Sequence, residues 1–289
     1  MNIFKESLKK RFPNIYNRFF KTYTLKEIYE MWAKEHYDSI TPGGARSYQC
    51  AYNHIKHLED LPFTEIKYHE WQDCINQVRA KGLHFGSQKK TKNIIGQLCK
   101  FAIKNEIAKI DYSYMLKMDK NIRAVPRTPY SEEEIIKLWD NVPRYPFIKY
   151  ILILIYTGVR IGELLRVNPS EDVFLAQRCF YIRKSKTVAG TNRPVPIHRS
   201  IMPIFRELCK PDKNQVSQAT YLIYDEHGKQ MNYSKFTARY KKVQKLLQMD
   251  HIVHECRHTC ASLLDSYGAP DVSTKKILGH AGNGVTQKV

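Results

Sequence analysis

The segment between residues 108 and 130 limits the possible folds of this chain more than any other feature. It holds Asp111-Tyr112-Ser113-Tyr114, a basic run and Pro126-Arg127-Thr128-Pro129, a composition that disfavours a continuous helix or strand. The chain has 289 residues, which is long enough for two domains of ordinary size. We therefore predict a leader or linker at 1–21, a first domain at 22–118, a linker at 119–130 and a second domain at 131–289.

The first domain follows a helical period from Thr24 to about residue 107. Apolar residues recur at helical spacing behind Thr24, whose hydroxyl is placed to cap the first helix. Breakers rich in Gly and Pro separate this helix from three further predicted helices, at about 44–57, 67–79 and 87–105. The pattern predicts a small all-helical domain.

The second domain changes from helices to strands and back. Ser131 precedes Glu132-Glu133-Glu134 in a typical helix-start pattern. Helices are predicted at 131–142, 146–157, 233–247, 255–266 and 272–279, and short strands at 173–174, 178–184, 193–197 and 221–224. The expected fold class is mainly α with a small antiparallel β-sheet.

The charge of the chain favours a polyanionic partner. Forty-seven Lys and Arg against 28 Asp and Glu give a formal net charge of +19, with basic residues in both halves. The longest apolar run, residues 150–156, is far shorter than the roughly 20 residues that a membrane span needs, and no targeting signal precedes it. We expect a cytoplasmic protein with a polyanionic partner and no membrane association.

The seven cysteines are scattered and are predicted to be reduced, buried thiols. Cys256 and Cys260 stand beside His254 and His258, which raises a zinc site as an alternative. Structural zinc ligands usually come in paired clusters within turns, whereas this segment has a helical pattern. Core packing is therefore the favoured interpretation, and no metal site is predicted.

Two arginines are candidates for binding a phosphodiester. Arg160 follows an apolar helix and a Thr-Gly break, and Arg257 stands three residues after His254, so a helix there would place both on one face. A guanidinium binds phosphate bidentately and stays charged. Taken singly, Arg160 also fits a surface salt bridge, and the spacing of His254 and Arg257 also fits a pair at the surface. His258 is predicted to pack or hydrogen-bond in the core.

A lysine in the predicted β-hairpin is a candidate proton donor for a departing 5′ oxygen. Lys184 and Lys186 share a face by strand alternation, and Thr187 with the position of the turn favours Lys186. Arg183 and Arg193 are interpreted as backbone-phosphate contacts or structural residues.

Cations of the first domain complete the predicted DNA-binding set. Its last helix carries lysines beside an apolar stripe, on a face that is either solvated or directed at DNA, and the phosphate chemistry downstream favours DNA. The set consists of Arg46, Lys89, Lys90, Lys92 and Lys100, together with Arg183 and Arg193.

Four motifs in order carry a family resemblance: Tyr-Thr-Gly-x-Arg-x-x-Glu-Leu from residue 156, Ser-Lys-Thr from 185, His-x-x-Arg-His-Thr from 254 and Leu-Gly-His from 278. Together they resemble the tyrosine site-specific recombinases, the integrase family of phages and conjugative transposons, over about residues 24–289. The resemblance implies a C-shaped clamp around DNA, with a helical core-binding domain on one side and a catalytic domain on the other.

The resemblance also implies roles for particular residues. Arg160 and Arg257 would bind the scissile phosphate, and Lys186 would protonate the leaving 5′ hydroxyl. His254 and His280 would position the phosphate and assist proton transfer, with Glu163 supporting the site. No metal or nucleotide cofactor is implied, because a covalent phosphotyrosyl link preserves the bond energy for religation.

The partners implied by the resemblance are DNA at element ends or a crossover site and other integrase subunits, forming a tetramer in the full-length family. They can also include an accessory excision factor.

The nucleophile departs from the family pattern. In the family a tyrosine lies roughly ten residues past the histidine of Leu-Gly-His, whereas here the last tyrosine is Tyr267 and the sequence ends at Val289. We expect the nucleophile just after Val289 and interpret the chain as a carboxy-terminal truncation that binds DNA without cleaving it.

Two alternatives stay open. A type IB topoisomerase uses similar chemistry, but the helical first domain and the Leu-Gly-His segment argue against it. A non-catalytic DNA-binding regulator fits the absent tyrosine, but five intact catalytic positions argue against that alternative.

Overall fold

The computed structural model describes residue 11 and residues 21–119, 128–210 and 220–279. The chain divides into two compact units, residues 1–124 and 125–289, and each has its own hydrophobic core. Most of the predicted leader and linker lies outside the described residues, and the sequence-based domain limits stay a prediction.

The first unit is helical. Its helices are α1 (Leu25–His36), α2 (Pro42–Tyr52), α3 (Tyr68–Ala80) and α4 (Phe85–Lys104). The predicted cap at Thr24 is present, because its hydroxyl accepts from the Glu27 N–H at 3.2 Å and the Glu27 carboxylate accepts from the Thr24 N–H at 2.9 Å. Helix α4 buries Ile94, Ile95 and Leu98 against the other helices. Helix α2 ends at Tyr52 rather than near residue 57, where the sequence predicted its end.

The second unit contains eight helices within the described ranges, one of them apolar and buried. The helices are α5 (Glu132–Asn141), α6 (Ile148–Thr157), α7 (Ile161–Leu164), α8 (Pro169–Asp172), α9 (Met202–Leu208), α10 (Tyr233–Leu246), α11 (Val253–Ser266) and α12 (Asp271–Leu278). Helix α6 is buried along most of its length, and Ser131 caps α5 through the Glu134 N–H as predicted. Helices α5 and α11 both lie against α6.

A three-stranded antiparallel sheet covers one part of this core. Its strands, in the order β1-β2-β3, are β1 (Val173–Phe174), β2 (Cys179–Ile182) and β3 (Arg193–Pro196). Phe180 lies opposite Val195, and both side chains are buried. The mainly helical fold with a small antiparallel sheet is therefore confirmed.

The strand predicted at 221–224 is wrong. Leu222 and Ile223 are both buried although they are consecutive, so the segment lacks the alternation of a half-buried strand. Its one ladder contact is an isolated bridge between Tyr224 and Gln230, across a turn.

The cysteines are free thiols of unequal burial. Cys74, Cys99, Cys256 and Cys260 are buried as predicted, whereas Cys50 is exposed and corrects that prediction. The Cys256 thiol lies 3.9 Å from the Tyr240 hydroxyl inside the core, which fits packing rather than zinc binding.

Within the described ranges, no helix is both long and apolar enough to cross a bilayer.

Candidate active site

The turn after α6 places Arg160 at the edge of the core. Gly158 takes a left-handed conformation (φ 62°) and ends the helix, donating its N–H to the Leu154 carbonyl at 2.9 Å. This is the conformation that glycine adopts without steric cost. Arg160 then leads into α7 in extended conformation, with its side chain 26% exposed. The Thr-Gly break in the sequence thus sets where the guanidinium emerges.

A cleft of about 450 Å³ lies beside this turn. It brings together five of the predicted site residues, which come from separate segments of the chain: Arg160, Glu163, Lys186, His254 and Arg257. The sixth, His280, and the expected position of the nucleophile lie outside the described residues. The remaining lining residues are Val159, Ile161, Gly162, Arg166, Tyr233 and Val253.

The Glu163 carboxylate is saturated with hydrogen bonds. Its Oε1 accepts from Nη1 of Arg160 at 2.9 Å and from the Ser185 hydroxyl at 2.6 Å. Its Oε2 accepts from the Arg160 backbone N–H at 3.0 Å and from Nη2 of Arg193 at 2.8 Å. The side chain is 2% exposed. Burial by itself raises the pKa of Glu163, but the hydrogen bonds from Arg193, Ser185 and Arg160 outweigh burial and lower it to about 2.

Arg257 is buried and held by main-chain carbonyls. Its Nη1 donates to the Gly158 carbonyl at 2.7 Å, and its Nη2 donates to the Leu278 carbonyl. Burial lowers the pKa of Arg257 to about 10, with repulsion from Arg160 acting in the same direction. The guanidinium therefore stays charged at neutral pH. These two bonds use two of the five N–H groups of the guanidinium, which leaves three to donate to an anion in the cleft.

The other two predicted site residues of the cleft, Lys186 and His254, come from a loop and from α11. Lys186 is exposed in the loop between β2 and β3. His254 and Arg257 both lie on α11, so the helical spacing predicted for them is present. His258 is exposed, with its ring 5.0 Å from that of His254, and the prediction that it packs in the core is wrong.

Arg193 does not lie where a DNA contact would need it. Its side chain is 6% exposed and donates to Glu163, to the Gly190 carbonyl at 2.5 Å and to the Ile277 carbonyl at 3.0 Å. This corrects its place in the predicted DNA-binding set in favour of the structural interpretation. Arg183 stays at the surface, where its Nε donates to Asp172 at 2.8 Å.

The predicted DNA-binding residues of the first unit are mostly at its surface. Arg46, Lys89, Lys90 and Lys100 are exposed. Lys92 is half-buried and donates to the Leu116 carbonyl at 2.7 Å, so its ammonium is partly engaged within the unit.

The sequence interpretation missed two residues of the site. Ser185 begins the Ser-Lys-Thr motif, but nothing in the sequence indicates that its hydroxyl donates to Glu163. Tyr233, which is 59% exposed, lines the cleft. The Asn232 cap on α10 could have indicated a helix start there, but nothing in the sequence pointed α10 at this cleft.

Residues 130–288 match the model of the phage integrase family. A tyrosine recombinase XerC-like protein of Caldanaerobacter subterraneus subsp. tengcongensis is 24% identical over 333 residues, covering 99% of this chain and 83% of the relative. A tyrosine recombinase XerC of Bacillus pumilus is 24% identical over 240 residues, covering 78% of this chain and 76% of the relative.

Solved structures share the fold. The Tn1549 transposon integrase in complex with a circular intermediate DNA superposes with a TM-score of 0.76 at 16% identity, covering 90% of this chain and 92% of that one. A lambda integrase tetramer bound to a Holliday junction gives a TM-score of 0.77 at 18% identity, covering 98% of this chain and 83% of that one. At these identities the likeness is one of fold.

Proposed function

This chain belongs to the phage integrase family of tyrosine recombinases, and from that premise we propose that it binds double-stranded DNA and holds a scissile phosphodiester in the cleft around Arg160 and Arg257. The observation that carries the proposal is the convergence of Arg160, Lys186, His254 and Arg257 on one cleft. These side chains come from three stretches of sequence that have no local reason to meet. Two guanidiniums and an ammonium gathered in this way, beside an imidazole, suit a phosphate anion that gains charge during its reaction.

The two guanidiniums have the donors to bind the non-bridging oxygens. Arg160 uses Nη1 for Glu163, and Arg257 uses one N–H of each terminal nitrogen for carbonyls. A planar fork with several remaining N–H groups matches a phosphate better than an ammonium does. We assign both arginines to the phosphate.

The reaction proposed is strand cleavage through a 3′-phosphotyrosyl intermediate. A tyrosine oxygen bonds to the scissile phosphorus as the bond from phosphorus to the 5′ oxygen breaks. The Lys186 ammonium gives its proton to the departing 5′ oxygen, and an imidazole, His254 or His280, accepts the phenolic proton. Rejoining to another strand runs the same steps in reverse, so the number of phosphodiester bonds is unchanged.

The proposed reaction assigns its nucleophile to no tyrosine of this 289-residue chain. Its sequence holds no tyrosine after Tyr267. Tyr233 is the tyrosine among the described residues that line the cleft, and we assign it no nucleophilic role.

The test is a cleavage assay on a suicide duplex that carries the end of the mobile element. It compares this chain with a form extended past Val289 by a segment that carries a tyrosine. We expect both to bind the duplex and only the extended form to become covalently joined to it. Arg160→Lys in the extended form is expected to lower covalent product by on the order of 100-fold, because an ammonium loses the bidentate contact.

Two outcomes would contradict the proposal. Tight binding by both forms with no covalent product would favour a non-catalytic DNA-binding protein. Covalent product from the 289-residue chain that disappears with Tyr233→Phe would place the nucleophile on α10 instead.

The biological setting proposed is integration or excision of a phage or conjugative transposon. Two of the similar solved structures are a transposon integrase and a tetrameric phage integrase, both on DNA. By analogy we propose that this chain acts on element ends as part of a tetramer clamped around DNA, in the cytoplasm. A type IB topoisomerase would instead relax a supercoiled plasmid without exchanging DNA strands between partners. The same protein preparations can be tested for plasmid relaxation.

A further inference from the structure

Arg193 connects three parts of the second unit that are distant in sequence. Its Nη2 donates to Glu163 at 2.8 Å, its Nη1 to the Gly190 carbonyl at 2.5 Å and its Nε to the Ile277 carbonyl at 3.0 Å. Glu163 lies on α7, Gly190 in the loop between β2 and β3, and Ile277 on α12. All three nitrogens of one buried guanidinium are thus committed to fixing this junction.

The junction is too tightly packed to allow much adjustment. A Cβ on Gly279 would lie 2.8 Å from the Gly190 Cα and 3.0 Å from the Arg193 Cζ. The backbone of the loop therefore lies directly against the end of α12. Since packed interiors respond to atomic displacements of this size, moving the guanidinium must move the loop or the helix end.

Lys186 lies in this loop between two anchored neighbours. On one side, the Ser185 hydroxyl donates to Glu163 at 2.6 Å. On the other side, the Thr187 hydroxyl donates to the Gly279 carbonyl at 3.3 Å. Both hydrogen bonds have acceptors that Arg193 also contacts. Arg193 donates to Glu163 and packs against the segment 277–279. The Lys186 side chain is itself exposed, so its backbone position depends on these contacts.

We propose that Arg193 is a positioning residue for Lys186, holding the loop so that the Lys186 ammonium meets the leaving 5′ oxygen in the cleft. This inference rests on the proposed function, in which Lys186 is the proton donor. Arg193 does not line the cleft; it acts through Glu163, Gly190 and the end of α12.

Two other roles are open to a buried arginine at this place. Arg193 could act through Glu163 on Arg160, and so on phosphate binding, or it could serve only the stability of the fold. A substrate that needs no proton on its leaving group separates these roles from the proposed one. A 5′-bridging sulfur in place of oxygen gives such a substrate, because a thiol ionises near a pKa of about 8.5 and leaves readily as a thiolate.

The experiment measures single-turnover cleavage by the tyrosine-extended form on matched oxygen and sulfur duplexes. The variants are Arg193→Gln and the milder Arg193→Lys. The lysine keeps the buried charge, but its donors lie on one nitrogen and cannot reach the three separate acceptors that the planar guanidinium reaches. Lys186→Ala shows how the rates on the two duplexes differ when the proton donor is missing. Arg160→Lys shows how they differ when phosphate binding is weakened. Arg206→Gln, an exposed arginine on α9, is the matched control. Thermal unfolding identifies any variant that fails to fold.

The expected result for Arg193→Lys is a loss on the order of 100-fold with the oxygen duplex. With the sulfur duplex the rate should stay within roughly threefold of the parent, as for Lys186→Ala. If Arg193→Gln does not fold, the lysine variant still decides the question.

An equal loss on both duplexes, as for Arg160→Lys, would overturn the proposal and assign Arg193 to phosphate binding or to the fold. An unchanged rate on the oxygen duplex would also overturn it. If the extended parent cleaves neither duplex, the proposed function fails first, and this inference falls with it.

Discussion

At the scale of single residues, Glu163 shows how a buried carboxylate stays ionised. An isolated charge in an interior is strongly disfavoured, but this one accepts four hydrogen bonds, two of them from guanidiniums. Glu163 thereby balances a buried cation, Arg193, and a cleft-facing cation, Arg160. The carboxylate orients Arg160, the arginine proposed to bind phosphate, without occupying all of its donors.

The lowered pKa of Glu163 predicts a pH-dependent stability. Because the folded-state pKa lies near 2, against an ordinary value of 4.5, the stabilisation is complete above about pH 4.5 and is lost as pH falls toward 2. The shift corresponds to roughly 3 kcal/mol. Glu163→Gln should lower the free energy of unfolding at pH 7 and should flatten its fall between pH 4.5 and 2, measured by urea unfolding.

The control for this pH prediction is Glu171→Gln, which changes an exposed carboxylate of the same unit. Its pH profile should follow that of the parent chain. Parallel profiles for Glu163→Gln and the parent would contradict the assignment of the acid-dependent stability to Glu163.

Sequence reasoning found the cleft residues and Glu163, but not the contacts that Ser185 and Arg193 make with Glu163. The motif positions indicated Arg160, Lys186, His254 and Arg257, because these residue types in that order are specific to one chemistry. The burial of Arg193 depends on a carboxylate 30 residues away, a tertiary contact that no local pattern contains. Strand alternation held the usable signal, since Arg193 shares a face with the buried Val195 and Ile197.

At the scale of elements, the meeting of α6, α11 and α12 fixes the distance between Arg160 and Arg257, the two arginines proposed to bind phosphate. Arg257 on α11 donates to the carbonyl of Gly158, two residues before Arg160. A Cβ on Gly158 would lie 2.4 Å from the Leu278 Cδ2 and 2.9 Å from the Cys260 Sγ. The absence of a side chain at Gly158 is thus what allows the three helices to approach.

Gly158→Ala should destabilise the second unit for two separable reasons. The left-handed backbone costs a non-glycine residue about 1–2 kcal/mol, and the crowding adds about 1–3 kcal/mol. Gly268→Ala is the matched control, because Gly268 also has a positive φ (72°) but nothing lies within 4 Å of an added Cβ. Urea unfolding should show the larger loss for Gly158→Ala, with hydrogen exchange rising in α6 and α11.

Equal losses for the two alanine variants would mean that the crowding at Gly158 relaxes without cost. That result would contradict the close packing of the three helices as the feature that spaces the arginines.

Most elements could be predicted because their signals are local. Thr24 and Ser131 begin their helices with the hydroxyl caps that their sequence positions predicted. The segment at 221–224 has strand-like residues, but Leu222 donates its N–H to the Val167 carbonyl and Ile223 accepts from the Met231 N–H. Its hydrogen bonds are divided between different segments, so tertiary contacts override the β propensity.

At the scale of the whole molecule, the net charge and the two-unit architecture both favour binding to a polyanion such as DNA. A net charge of +19 accompanies two units with separate cores. Exposed lysines on α4 of the first unit and the cleft cations of the second offer phosphate contacts on each unit. Such contacts release counterions, so binding should weaken steeply with salt.

The lysines of α4 should contribute to that salt dependence. The triple variant Lys89→Gln, Lys90→Gln and Lys100→Gln should reduce the slope of log K against log salt by about 1 for each phosphate that is no longer neutralised. The control replaces Lys26, Lys34 and Lys109, which are also exposed in the first unit, and removes the same charge. Titration of a fluorescent duplex at several salt concentrations measures both slopes. Equal slopes for the two triple variants would contradict a DNA contact by α4.

The dispersal of the site along the chain has a consequence for how the protein is made. Arg257 follows Arg160 by 97 residues (257 − 160), and its carbonyl partners lie at the ends of α6 and α12. At a synthesis rate of roughly 5–20 residues per second, the first arginine leaves the ribosome several seconds before the second. A nascent chain in that interval carries the first unit's basic surface but no assembled cleft. Contact between the first unit and DNA can therefore precede the assembly of the cleft that we propose holds a single phosphate.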